Sequence, residues 1–523
     1  MFFRICKEII FSSFIEQIDI TVFFTIFGRV KDTIFFNQRP ENILDRATSS
    51  SFGEESTQET EIENECFDFW LQRVCRDVKN NDPTIDEVEI DHYGEQLCYF
   101  DSTDMMMLSD AMETNTFVTS LIFRNIQIDK CSAEHLKSIL QNNSNSITNL
   151  QMEEIHGGGG EGLMATAIAL TLNPTSSINT LHLKGNIIDS SSARAIGLML
   201  KSNVCLTELR MCQNSIDEEG ISYISLGLAS NRTLRVLDLE GNALNDISVS
   251  KISNSLVHND TLEFLCLDFN DFGEFGTRAI ASMIRKNIRL KELHLFGNHI
   301  NSIGAIDLAD SLRHNTSLTT LILSFNNIGD EGVKVLAEAL KVNTSLTHLS
   351  LPSNSIWNEG FQTLGDCLPE MKGLEQLNVG ELYDTTAADA LLAGLKYNTR
   401  LSTLYIQLPT CDESYYYQEN DESSSSSSSS SSNDGDGSSS CHSCTTPVED
   451  DINFFLRLNR SGRSLLNSSH APTALWSTAL EKATINQSET GVPDVLYHLL
   501  CEKPDLVNTT SRVSCSSSSS SSS

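Results

Sequence analysis

Positive charge is scarce in this 523-residue chain: 36 Lys and Arg stand against 70 Asp and Glu, a formal net charge of -34. Such a polyanion repels phosphate backbones and anionic lipid headgroups, so neither nucleic acid nor a membrane surface is an expected partner. Long apolar runs are missing too. The first forty residues are rich in Phe and Ile, but Glu16, Asp19 and Arg29 cut every run well short of the ~20 residues a spanning helix needs. Arg4 and Lys7 would suit the basic start of a signal peptide, whereas Glu16 and Asp19 spoil the apolar stretch that must follow. Cysteine is dilute, with 14 residues scattered singly apart from Cys441 and Cys444. That excludes a small disulfide scaffold and points to a reducing compartment, the cytoplasm. The common catalytic signatures HExxH, GxSxG and the Walker sequence are absent as well.

What is present is a repeat. From Ile178 the pattern LxxLxLxxNxI returns every 28 residues, its first apolar position falling at Ile178, Leu206, Leu234, Leu262, Leu290, Leu318, Leu346 and Leu374. The two later apolar positions are two apart, as in Leu237 and Leu239 or Leu265 and Leu267, which predicts a short strand with one buried face. The Asn recurs as Asn186, Asn214, Asn242, Asn270, Asn298, Asn326 and Asn354. An amide carries both donor and acceptor atoms, so a stack of them can satisfy the backbone of successive turns; this column reads as structural. The second half of each unit reads as helix, with Val333, Leu336, Ala337 and Leu340 at helical spacing and Asp330 and Glu331 in the first turn.

Strand, turn, helix and return within 28 residues resemble the long class of leucine-rich repeat. The run Leu318-x-x-Leu321-x-Leu323-x-x-Asn326-x-Ile328, followed by Gly332 and the Leu336-Ala337 pair, is similar to the ribonuclease-inhibitor type. That type occurs in cytosolic inhibitors, in the sensor ends of NOD-like receptors and in Ran GTPase-activating proteins. Over Ile178 to Leu382 the resemblance implies an α/β solenoid, a horseshoe with a parallel sheet on its concave face and helices on its convex face. It says little about function, because that fold serves many partners.

Degenerate units flank the regular ones. Upstream, Val118, Leu121 and Phe123, then Ile147, Leu150 and Met152, keep the leucine spacing but carry Ile126 and Ile155 where Asn belongs. Ile85, Val88 and Ile90 suggest a still earlier strand, and Leu374, Leu377 and Val379 put Leu382 at the Asn site downstream. Leu401, Leu404 and Ile406 close the series, as capping units of atypical sequence should. The expected organisation is a poorly ordered leader over 1–80, about 10–11 repeats over 81–410, an acidic and Ser-rich linker over 411–447, a small helical module over 448–509 and a poly-Ser tail over 510–523. The Gly157–Gly160 run lacks the Lys-Ser/Thr of a phosphate loop and reads as a flexible loop. Sequons such as Asn231-Arg232-Thr233 and Asn315-Thr316-Ser317 recur at the helix-to-strand return, where turn chemistry explains them better than glycosylation does.

Residues between the leucines should face the concavity, free to meet a partner. In the middle units Asp238, Glu240, Asp268 and Glu292 lie beside Phe264, His294 and Phe296, an acidic strip with aromatic anchors of the kind protein interfaces use. His182, His294 and His348 sit too many repeats apart to share a metal, and no metal or cofactor is expected. His294 beside Cys266 is a thiol-imidazole pair with no evident third group. The leading expectation is a non-enzymatic scaffold that binds a protein on its concave face. The resemblance to Ran-activating proteins implies an alternative, a GTPase activator in which Arg124, Asn125 or Arg210 would act on the partner.

Overall fold

The computed structural model of the chain describes residues 70–91, 100–142, 146–156, 173, 176–382, 385–408 and 447–460, all within the unit Phe67–Ser523. The Gly157–Gly160 run, the serine tracts, Cys441, Cys444 and the chain beyond Arg460 lie outside the described residues. Helix α1 (70–79) precedes twelve strands in one parallel sheet whose spatial order follows the sequence. They are β1 (Glu87–Asp91), β2 (Ser120–Arg124), β3 (Asn149–Glu153), β4 (Thr180–His182), β5 (Glu208–Arg210), β6 (Val236–Asp238), β7 (Phe264–Cys266), β8 (Glu292–His294), β9 (Thr320–Ile322), β10 (His348–Ser350), β11 (Gln376–Glu381) and β12 (Thr403–Gln407). Strand alternates with helix along the chain, so this is an α/β leucine-rich-repeat solenoid. The register joins equivalent positions: Leu209, Leu237, Leu265 and Leu293 stand side by side on β5 to β8.

Those leucines and the apolar face of each helix fill one continuous core. In the helix Gly329–Leu340, Val333, Leu336, Ala337 and Leu340 are all buried, and Asp330 and Glu331 occupy its first turn. Asp189, Asp217, Asn245 and Asn301 cap successive helices by accepting the N–H three residues on. Gly273 offers no capping side chain; there Asp246 of the preceding unit accepts from the Gly273 and Gly276 amides.

The asparagine column forms a hydrogen-bonded stack. Asn270 Nδ2 donates to the carbonyls of Leu239, Leu267 and Asp268, while its Oδ1 accepts from the Asn242 and Leu244 amides. The stack stops at Asn186, whose Oδ1 accepts from the Ile155 amide. A second column runs through Asn203, Asn231, Asn259, Asn287, Asn315 and Asn343 at the helix-to-strand return, and every one is buried. Asn315 is typical: its Nδ2 donates to the Ile284 and Asn287 carbonyls and its Oδ1 accepts from the Ser317 and Leu318 amides. The sequon asparagines of this column thus spend their amides on the turn.

Both ends differ from the expected boundaries. The expected leader over 1–80 overlaps α1, whose Leu71 and Val78 are fully buried against the first repeats, because the open end of a stacked core needs an apolar cover. At the other end the helix Pro447–Arg460 packs on the last repeat through Ile452 and Leu456. Its Asn459 Nδ2 donates to the Asn398 and Leu401 carbonyls, repeating the bond that Asn231, Asn259, Asn287, Asn315 and Asn343 make to the unit before them. This segment docks on the solenoid and extends the column.

Candidate functional site

The sheet's exposed face carries three levels of side chains, the first being Thr180, Glu208, Val236, Phe264, Glu292 and Thr320. The second level runs His182, Arg210, Asp238, Cys266, His294 and Ile322 across β4 to β9, as the strand register fixes. The next, two residues on, runs Lys184, Cys212, Glu240, Asp268, Phe296 and Ser324, since alternate residues of a strand share a face. The residues expected to contact a partner therefore do lie together, but not all are open. Asp238 is buried; Arg210 Nη1 lies 3.3 Å from its carboxylate and the Glu240 amide donates to it at 3.1 Å. Glu292 is exposed, while Phe264 stacks edge-on against the His294 ring at 4.9 Å between centroids.

Asp268 is the unusual acid. The Phe296 amide donates to its Oδ1 at 2.7 Å, its Oδ2 stands 3.8 Å from His294 Nδ1, and burial holds its carboxyl up at about 7. Cys266, Asp268 and His294 offer ligand atoms that all lie within 4.8 Å of one another, and so do Cys212, Asp238 and Glu240. The Cys266–His294 pair expected from the repeat register has Asp268 as its third group, which the i, i+2 alternation of β7 places on the same face. Burial first, then Asp268 and Asp238, pushes the Cys266 thiol far up, and burial lowers His294. The pair by itself is thus a neutral thiol beside a neutral imidazole, a poor nucleophile.

One aromatic feature escaped the sequence altogether. Immediately after each strand pair, the residues Gly185, Gln213, Gly241, Phe269, Gly297, Phe325 and Ser353 all have φ between 52° and 71°. A bulky residue is rarely tolerated there. Phe269 and Phe325 nevertheless flank Phe296 with ring centroids 4.8 and 4.7 Å away, and Phe269 is 46% exposed. Gly297 makes the room, since a Cβ there would come 2.8 Å from the Phe269 ring.

The residues named for GTPase activation are spoken for. Arg124 pairs with Glu89, Glu153 and Gln151, Arg210 with Glu208 and Asp238, and Asn125 Nδ2 donates to Asp91. His182 Nε2 lies 3.1 Å from Glu208, so that His182 belongs to the same network and not to a site shared with His294 or His348.

Three of the units, at residues 230–253, 286–309 and 314–337, match the Leucine Rich repeat family. These units are leucine-rich repeats. No curated protein matches the chain in sequence. Among solved structures it is similar to the Leiomodin-1 actin-binding site 2, at 24% identity over 24% of this chain and 73% of that one, with a TM-score of 0.22. It is also similar to a chain of the yeast Rad7 and Elc1 complex, at 18% identity over 53% and 66%, with a TM-score of 0.36. A third is an internalin from Listeria monocytogenes, at 17% identity over 64% and 89%, also with a TM-score of 0.36. Scores this low carry nothing about function. Among the described residues no helix is long and apolar enough to cross a membrane.

Proposed function

We propose that this chain is a non-enzymatic protein-interaction scaffold whose partner docks on the concave face across β6 to β9. The observation that carries the reading is the cluster of Phe269, Phe296 and Phe325. Two of these rings sit on left-handed backbone, Phe269 between Gly241 and Gly297 of the adjoining repeats and Phe325 next after Gly297, and Phe269 is nearly half exposed. Strain of this kind costs roughly 1–3 kcal/mol and persists where a surface is held for use. Aromatic anchors beside Glu240, Asp268 and Glu292 suit a partner with apolar and basic side chains.

The 28-residue period, with a full helix in each regular unit, supports the ribonuclease-inhibitor type. A reducing location, such as the cytoplasm, is supported by Cys75, Cys131, Cys205, Cys212, Cys266 and Cys367, all unpaired, and by the burial of the sequon asparagines. The test is quantitative capture with the full chain and with Phe269→Gly combined with Phe325→Gly. Proteins held by the parent should be lost from the variant while circular dichroism stays unchanged; an identical captured set would remove the aromatic cluster from the reading.

A further inference from the structure

The wall around β7 holds a donor set that shares Asp268 with the proposed docking face. Cys266 and His294 are register partners on adjacent strands, and Asp268 follows Cys266 by two residues on the same face. Their ligand atoms fall within 4.8 Å of one another. The His294 Nδ1 to Asp268 Oδ2 distance of 3.8 Å is too long for a hydrogen bond. It is close to the separation of two ligands on one tetrahedral ion, about 3.3–3.6 Å for bonds of roughly 2.0–2.3 Å. The parts are also held in place: the Phe296 amide fixes Asp268 through Oδ1, and the edge-on contact with Phe264 fixes the His294 ring. Local charge favours a cation, because Asp238, Glu240 and Asp268 crowd this wall and Arg210, the cation paired with Asp238, is shared with Glu208.

We propose that Cys266, Asp268 and His294 bind one divalent transition ion of zinc's chemistry, with the fourth coordination position open to the concave side. One sulfur, one nitrogen and one carboxylate oxygen suit zinc or cobalt and not the hard ions calcium or magnesium, which take oxygen donors. Coordination releases the Cys266 thiol proton to solvent and leaves a thiolate on the metal. Three protein donors with one open position match the count found in zinc sites that exchange a fourth ligand. The neighbouring set, Cys212, Asp238 and Glu240, lacks a nitrogen donor and flanks the site.

The experiment uses the full chain with Cys411, Cys441, Cys444, Cys501 and Cys515 all replaced by Ser, so that the tail thiols cannot contribute. After chelation it is titrated with Co2+ and then Zn2+. One Co2+ per chain should give a thiolate-to-cobalt charge-transfer band that Zn2+ bleaches. Cys266→Ser should abolish the band, His294→Ala should weaken binding by more than roughly tenfold, and Cys212→Ser should leave both unchanged. Zn2+ should raise the melting temperature of the parent and not that of His294→Ala, a half-buried position. No charge-transfer band, a band that survives in Cys266→Ser, or one lost in Cys212→Ser would each overturn the site. None of these readouts involves a protein partner, so the docking reading stands or falls separately.

Discussion

The central repeats and the end repeats solve the same backbone problem by different means. From Asn186 to Asn354 each strand is three residues long, and a buried amide takes up the groups of the turn that follows. In β1 to β3 the strands are five residues long and the turn position holds Ile126 or Ile155. There the backbone pairs with itself: the His156 amide donates to the Ile126 carbonyl and the Ile128 amide to the His156 carbonyl. The C-terminal end repeats the second solution, with Leu382 at the Asn site and its amide donating to the Gln407 carbonyl. Buried polar groups must be paired, and side chain or neighbouring backbone will serve. The amide stack permits shorter strands and a constant repeat; the longer sheet permits apolar turns.

The largest expected effect tests that contrast directly. Asn270→Leu strands the carbonyls and amides it serves and should cost about 3–5 kcal/mol in chemical denaturation. Ile126→Leu at the equivalent position of the second repeat should cost less than about 1.5 kcal/mol. Equal costs would break the comparison. Next, Leu456→Ala in the docked C-terminal helix should cost about 2–5 kcal/mol locally. Hydrogen exchange should then rise across Thr385–Gln407 and remain unchanged in the central repeats, since stacked units feel chiefly their neighbours.

A smaller effect is expected on the central wall at low pH. The hydrogen bond with His182, followed by Arg210, holds the Glu208 carboxyl down at about 2, below the ordinary ~4.3 of a free glutamate. Its contribution is therefore complete above the unfolded value and is lost as pH falls through the folded one. Glu208→Gln should remove about 1–3 kcal/mol at neutral pH and flatten the stability curve between those values, as acid unfolding followed by circular dichroism would record. The smallest effect is at Phe269. Relief of its left-handed backbone in Phe269→Gly, roughly 1 kcal/mol, offsets the lost ring contact with Phe296, about 0.5–1.5 kcal/mol. The free energy of unfolding should move by less than about 1 kcal/mol while partner capture falls; a large loss of stability would make the ring part of the frame.

Much of this was legible in the chain. The leucine spacing fixes which residues enter the core, and because every regular unit has the same length it also fixes which residues stand beside one another on successive strands. Cys266 beside His294 follows from that arithmetic, and Asp268 follows once alternate residues of a strand are placed on one face. The second asparagine column showed in the sequence as turn chemistry, although its stacking did not. Phe269 and Phe325 were invisible as a pair because they follow the strand, outside the positions assigned to the wall. The docking of Ile452, Leu456 and Asn459 was hidden as well, since the span from Asn398 to Asn459 no longer keeps the repeat length.

The sequence by itself determined the solenoid, for periodic apolar residues can be buried together only by stacking equal coils around a shared core. Tertiary structure alone decided which wall residues are open and which are spent on one another. Burial of Asp238 under Arg210, the left-handed turns that carry two phenylalanines and the end helix that takes up the last carbonyls all depend on distances between units. A repeat pattern sets the register of its units, and only their packing sets the space left between side chains.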